Sequence, residues 1–363
     1  MISFDLTEEQ QMMVDAVRRY AERNMRRSFR EADESGEIDR GLIQTGWELG
    51  LVPSNIPEAL GGFGRHAALD GVLYAEELGW GDLATAMYLL APNLMAVPLL
   101  EFGTERQQQN ILPRFCDAEF MPATAALIEP NVLFNPLELQ TTASRENGNY
   151  VLNGHKAYVP LAAEAEWLLV YANESGQTQA FIIERGSEGL HIGEREKNMG
   201  VKGLPTYEVQ LSEVRVGADC KLGGDEGIDF RRLQSYSQVA LAALAVGVAR
   251  ASYEYALEYA KNREAFGEPI ASRQAIAFML AEMAIDIDAA RLMAWEAAWK
   301  LDQGQEAAAA AHLARQFAAD MALTVTDGGV QILGGHGYIR DYPVELWLRN
   351  GRGFATFDGL AMV

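Results

Sequence analysis

The alternation of polar and apolar positions changes period twice along the chain, and each change marks a different kind of packing. Over residues 1–122 the apolar positions recur at helical spacing. Thr7, Glu8, Glu9 and Gln10 read as an N-cap, an acidic first turn and a capping box, and Met13, Val17 and Tyr20 follow on one face with Ala16 and Ala21 beside them. Further helices are predicted over 39–50, 66–80 and 83–103, with the Pro/Gly-punctuated loop IPEALGGFG (56–64) among them. Over 123–230 period-2 patterning takes over. NYVLNGHKAYV (149–159) predicts two strands about an Asn153-Gly154 turn, since Asn-Gly suits a type I′ hairpin. WLLVYAN (167–173), QAFIIE (179–184) and YEVQLSEVRV (207–216) supply further strands, with the glycines at 186, 189, 200, 203, 217, 223 and 224 as turn formers. From 231 the helical period returns in three Ala-rich runs, 232–262, 271–301 and 305–333. Small and apolar positions on more than one face of each predict a bundle, and packing across a subunit interface. The expected fold is α+β: an N-terminal α-helical domain (1–122), a central β-barrel or sandwich (123–230) and a C-terminal α-helical bundle (231–363).

Composition narrows the function. A chain of 363 residues with 49% hydrophobic and 22% charged residues is globular rather than disordered. Its net charge of −21 argues against nucleic acid and against anionic membrane surfaces, because both need a basic face. A polyanionic ligand would have to rely on local Lys/Arg and helix N-termini. No apolar run is read as long enough to span a bilayer and no basic, then apolar leader opens the chain, so a cytoplasmic protein is expected. Cys116 and Cys220 are the only cysteines, which fits a reducing compartment, and the five histidines show no metal-ligand spacing, so no metal is expected.

Several motifs occur together in one order. IPEALGGFG is followed by EELGWGD (76–82), then by REAFGEPI (263–270) leading into a long helix, then by QILGGHGYIRDYPVELWLRN (331–350). This set resembles the acyl-CoA dehydrogenase family, in its P-E-x-x-G-G-x-G loop, its R-x-x-F-G motif and its Q-x-x-G-G-x-G…Y-P-V-E-x-x-x-R-D motif. The resemblance spans nearly the whole chain and is weakest in the barrel. It implies FAD as cofactor, α,β-dehydrogenation of an acyl-CoA, an electron-transfer flavoprotein as acceptor, and a homotetramer or a heteromer with a related subunit. Arg263, Phe266 and Gln274 would meet the flavin dinucleotide, as would Gln331, Gly334 and Gly335 from across a dimer. Guanidinium groups grip phosphate bidentately and glycines admit close backbone approach.

The same resemblance assigns the base. The family places a Glu eight residues after the Asp of its R-D pair; here Arg349-Asn350 stands for that pair, and eight further lies Asp358. Its N–H would hold the thioester carbonyl and its carboxylate would take the α-proton, with about 1.5 Å less reach than Glu. Around the flavin the chain departs from the family. ALIEPNVLFNP (126–136) keeps Glu129-Pro130 but has Ile128 for the family Thr and lacks G-S-D. Tyr158-Val159-Pro160 replaces W-I-[ST]: Tyr158 would cover the flavin ring, and Pro160 has no N–H to donate. Gln238 replaces a common Arg, Leu360 replaces a Thr, and the sequence reaches Val363 without the family's usual final helix. Two other readings therefore stand beside the dehydrogenase: a flavin-poor, non-catalytic partner subunit, and a non-redox lyase or hydratase acting on an acyl-CoA.

Overall fold

The computed structural model describes residues 5–363. The N-terminal helices are α1 (Glu8–Tyr20), α2 (Arg26–Ser35), α3 (Arg40–Trp47), α4 (Ala68–Gly81), α5 (Leu83–Leu90), α6 (Asn93–Phe102) and α7 (Glu105–Ile111). The capping box read at the start of α1 is formed: Thr7 Oγ1 accepts from Gln10 N–H, and Gln10 Oε1 accepts from Thr7 N–H at 3.0 Å. A π-helical turn over Ala21–Met25 joins α1 to α2.

Two expectations need correction here. The segment Leu83–Phe102 is, with a mean hydropathy of 1.6, long and apolar enough to cross a membrane, although no such run was read from the sequence. Its apolarity serves the protein core instead. It is divided into α5 and α6 at Ala91-Pro92, and most of it is buried against neighbouring helices.

The middle of the chain forms β1 (Thr124–Ala126), β2 (Thr142–Glu146), β3 (Asn149–Pro160), β4 (Trp167–Glu174), β5 (Gln177–Glu184), β6 (Leu190–Arg195) and β7 (Thr206–Val216). They make one curled seven-stranded sheet ordered β1-β4-β2-β3-β7-β6, with β5 also on β4. The second correction concerns its hairpin. Asn153-Gly154 does not turn: β3 runs unbroken through it, with a bulge against β7. The turn is made by Asn147-Gly148, at φ 50° and 84°, which closes β2 onto β3 with Glu146 opposite Asn149. Both dipeptides suit a type I′ turn, but Gly154 is consumed by close packing. A Cβ there would lie 2.4 Å from Thr141 Oγ1, and Asn153 Oδ1 accepts the Glu213 N–H at 2.9 Å across the bulge.

The last third contains α8 (Phe230–Asn262), a two-residue ribbon of β8 (Glu264–Ala265) and β9 (Glu268–Pro269), α9 (Gln274–Asp302), α10 (Ala308–Leu333), α11 (Gly335–Tyr338) and α12 (Val344–Gly353). α8 packs closely on α4, where a Cβ on Gly247 would come within 2.2 Å of Glu76 O. Buried charges bind the same contact. Glu76 and Glu77 of α4 receive Arg250 of α8 at 2.6 and 2.7 Å, and Arg291 of α9 reaches Glu76 at 2.9 Å. Along α9, Phe278, Ile285, Leu292 and Trp299 stand exposed at seven-residue intervals, a stripe left uncovered among the described residues.

Candidate active site

The residues after α12 are held by a clamp built elsewhere in the chain. Arg349 donates to Asp33 Oδ2 of α2 at 2.7 Å and to Glu345 Oε2 at 2.8 Å. Burial alone would raise the Asp33 carboxyl. The Arg349 hydrogen bond and the Arg349, Lys202 and Arg340 charges overcome this and leave it below the usual carboxylate range. Asn350 Oδ1 accepts the Val201 N–H at 2.7 Å, so an amide serves as acceptor where the motif ordinarily has a carboxylate. With α12 fixed in this way, the following segment enters the core: Phe357 and Leu360 through Val363 are all buried. Gly359 makes the turn at φ 71°, and a Cβ on it would meet Leu127 Cδ2 at 2.5 Å.

Asp358 sits at that turn with its side chain 47% exposed. Its Oδ1 lies 3.6 Å from Nη2 of Arg315, a residue of α10 whose side chain is only 9% exposed. Arg315 also donates to the Phe354 carbonyl, and its Nε has no partner. Burial lowers the Arg315 pKa, and the Asp358 and Asp320 charges oppose that shift only in part. Asp358 also lines a cavity of about 20 Å³, walled by Leu94 of α6, Leu127, Tyr171 of β4 and Phe230, Leu233, Gln234, Ser237 and Gln238 of α8. This volume accommodates about one water molecule. Ser237 Oγ is buried and unpartnered, and the Asp358 N–H makes no backbone hydrogen bond. Larger open grooves, of about 1110 and 840 Å³, run along α2, α3 and the 160–166 segment, but none of the candidate base or flavin residues lines them.

The residues expected to grip a dinucleotide lie at the far ends of α8 and α10. Arg263 is the C-cap of α8, and its guanidinium has no partner among the described residues. Phe266 is 97% exposed, at φ 57° in the β8–β9 turn, with Arg273 5.9 Å from its ring centroid. Gln274 opens α9 and is exposed. Gln331 is exposed at the end of α10, and Gly334 caps that helix at φ 58°. A Cβ on Gly334 or Gly335 would meet nothing within 4 Å. An unpaired guanidinium, an exposed ring and an open glycine turn are the donor set a pyrophosphate and adenine require, so these residues fit that half of FAD.

The ring side is built differently. β3 bulges between Lys156 and Val159, leaving Tyr158 at φ 54° with its side chain 39% exposed, so it presents a free aromatic face. Its N–H is taken by Glu196 Oε1 at 3.3 Å, and Glu196 Oε2 is buried without a partner. The retained Glu129 has a structural task. It accepts the Gln140 and Thr141 N–H groups at 2.7 and 2.8 Å and pairs with the wholly buried Lys156 at 3.0 Å. Burial lowers the Lys156 ammonium to about 8 despite that carboxylate. The Ile128 carbonyl accepts the Ala157 N–H, which ties the loop to β3.

The structure thus brings Asp358 and Gln238 to one cavity, and gathers Arg263, Phe266 and Gln274 around the α8–α9 connection. Sequence reasoning missed three site residues. Arg315 carried a signal, a lone cation in an Ala-rich run, whereas Ser237 and Glu196 carried none.

Known proteins share the domain order of this chain. Family models of the acyl-CoA dehydrogenase N-terminal, middle and C-terminal domains match residues 7–119, 124–214 and 233–361. A probable acyl-CoA dehydrogenase of Bacillus subtilis (strain 168), YngJ, is 36% identical over 372 residues, covering 100% of this chain and 97% of that protein. The butyryl-CoA dehydrogenase structure from Megasphaera elsdenii superposes with a TM-score of 0.91 at 31% identity, covering 99% of this chain and 96% of that one. The FAD complex of PigA superposes with a TM-score of 0.91 at 26% identity and the same coverage. With all three domains matched in order, the chain belongs to the FAD-dependent acyl-CoA dehydrogenase family of oxidoreductases.

Proposed function

We propose that the chain dehydrogenates an acyl-CoA thioester at its α,β bond, with Asp358 as the base. One observation carries this reading: the only carboxylate lining the core cavity belongs to the turn where the motif count puts the base, and a buried arginine holds it. Bound FAD supplies a two-electron hydride acceptor for the β-hydrogen. Arg263, Phe266, Gln274, Gln331, Gly334 and Gly335 would hold its dinucleotide half, and the Tyr158 face would cover its ring.

This chain's own groups do the remaining work. The unengaged Asp358 N–H donates to the thioester carbonyl oxygen, which favours negative charge there as the α-proton leaves. The carboxylate takes that proton from the α-carbon. Arg315 holds the carboxylate at the cavity mouth. Because Asp is short, the α-carbon must come close to the turn, and the narrow cavity enforces a close approach. The α9 stripe supports an assembly of copies of this chain, in which the exposed flavin residues acquire their second wall. An electron-transfer flavoprotein is the expected acceptor, and the cytoplasm the expected compartment.

The test is Asp358→Asn, assayed on FAD-loaded protein with short acyl-CoA esters and an artificial electron acceptor. A fall in kcat of about 10²–10⁴ with unchanged flavin content supports the base. Undiminished turnover overturns it. Ile128 offers no side-chain donor to a ring and Pro160 neither a side-chain nor a backbone donor, which favours a second reading, a flavin-poor partner subunit. Such a protein would purify colourless and take up FAD only with a partner chain.

A further inference from the structure

The wall of the Asp358 cavity is mostly apolar, but one strip of it is not. Gln234, Ser237 and Gln238 are spaced i, i+3, i+4 on α8, so they lie together on the face turned to the cavity. Ser237 is only 4% exposed, and its hydroxyl has no hydrogen-bond partner, not even the carbonyl one turn back that a helical serine ordinarily finds. Neither glutamine carboxamide has a partner among the described residues. Tyr171 lines the same cavity and is 3% exposed; its hydroxyl likewise makes no hydrogen bond among those residues, and its ring packs edge-on against Phe230 at 5.4 Å.

Buried polar groups are left unpaired at a cost, and the great majority in native structures find partners. A strip of neutral donors and acceptors in a cavity with room for about one water therefore points to a ligand group that satisfies them. That group is neutral. Asp358 places a negative charge on the same cavity, and a second carboxylate there would be repelled and desolvated without a cation lining the wall. It is also small, because the cavity, at about 20 Å³, has room for little more than one water molecule.

We propose that this site selects short acyl thioesters bearing a neutral hydrogen-bonding group, a hydroxyl, keto or amide oxygen, two to three bonds beyond the α-carbon, and that Ser237 is its specificity determinant. The inference rests on the thioester reading above, and its test separates the two. A site arranged to hydrogen-bond a substrate group rejects the analogue lacking that group more strongly than a hydrophobic pocket rejects an extra hydroxyl.

The experiment compares 4-hydroxybutyryl-CoA, its isostere pentanoyl-CoA and decanoyl-CoA. Binding is measured calorimetrically on the FAD-loaded Asp358→Asn protein, where no turnover intervenes, and turnover is measured on the unsubstituted protein. The expected result is binding of the hydroxy ester about 10–100-fold tighter than pentanoyl-CoA, with decanoyl-CoA weakest. Adding Ser237→Ala should remove that preference, and Ser237→Thr, which keeps the hydroxyl, should retain it. If pentanoyl-CoA or decanoyl-CoA binds as well as the hydroxy ester, or Ser237→Ala leaves the ratio unchanged, the inference is overturned whatever the turnover. If the preference holds but no ester is oxidised, the selectivity stands and the dehydrogenase reading falls. If no ester binds, both fall.

Discussion

Arg315 is the residue whose replacement tests the site most directly, because it touches Asp358 and nothing proposed for substrate or flavin. At 3.6 Å a pair of unit charges is worth about 1 kcal/mol in water and about 5 kcal/mol at an effective dielectric of 20. Asp358 is nearly half exposed, so the value lies toward the lower end, about 1–2 kcal/mol. This is the energy that keeps the carboxylate at the cavity mouth. Arg315→Met should therefore lower kcat about 5–10-fold, with KM nearly unchanged, since a tether on the base acts on chemistry and not on substrate affinity. Stability should change little. Burial already disfavours the charged guanidinium, as its lowered pKa shows, and a Met of similar length recovers much of the packing. Arg315→Lys keeps a cation and should restore part of the rate, which a purely structural role would not give. The decisive assay is a double-mutant cycle. In an Asp358→Asn background Arg315→Met should cost nothing further, giving a coupling of at least 1 kcal/mol. Equal losses in both backgrounds would refute the positioning role.

Two further perturbations test the frame around the site. Glu101 of α6 accepts from Arg232 Nε at 2.6 Å and from the Tyr236 hydroxyl at 3.0 Å, pinning the start of α8 that carries the polar strip. Burial would raise the Glu101 carboxyl, but hydrogen bonds from His66 and Arg232 outweigh it and bring it down to about 2. A depressed carboxyl stabilises the fold above its ordinary range, and that contribution is lost as pH falls through the folded value. Glu101→Gln should thus cost roughly 3 kcal/mol in urea unfolding at pH 7, a gap that narrows between about pH 4.5 and 2; a gap independent of pH in that window would contradict it. On α9, Leu292→Glu puts a charge in the middle of the exposed heptad stripe and should reduce the mass measured by light scattering. An unchanged mass would show that the stripe is not an interface.

The frame was legible because helical and strand periods reflect burial, and the core of each domain uses them consistently. Particular misreadings have particular causes. The sequence pattern points to Asn153-Gly154 because two Asn-Gly pairs lie six residues apart, and only tertiary packing against Thr141 decides which one turns. The sequence predicts one helix over 83–103 in spite of Pro92, because apolarity on every face of a core helix hides a break. Asp358 was found by counting from a motif, a one-dimensional operation. Its partner Arg315 lies 43 residues earlier on another helix, and a lone arginine in an Ala-rich run reads by default as a solvated charge. Ser237 was invisible for a simpler reason: a serine inside a buried helix gives no sign of whether its hydroxyl is satisfied.

The site consists of two halves with different supports, and this bears on how its sequence has departed from the family pattern. The Asp358 half is self-contained. Arg349 with Asp33, Asn350 with the Val201 N–H, and Arg315 with the Phe354 carbonyl all act within one chain, so the base keeps its place whether or not a flavin or a second copy is present. The dinucleotide half is not, since Arg263, Phe266, Gln331 and the Gly334-Gly335 turn face open space. Between the halves, the ring side has given up donors at 128 and 160, while Glu196 occupies the Tyr158 N–H. A ring held there would depend on the Tyr158 face and on the dinucleotide grip more than on hydrogen bonds to its edge. Flavin affinity should therefore follow assembly. If Leu292→Glu separates the copies, it should release FAD while leaving the Arg315–Asp358 contact in place, and flavin retained by the separated chain would show that the ring side suffices alone.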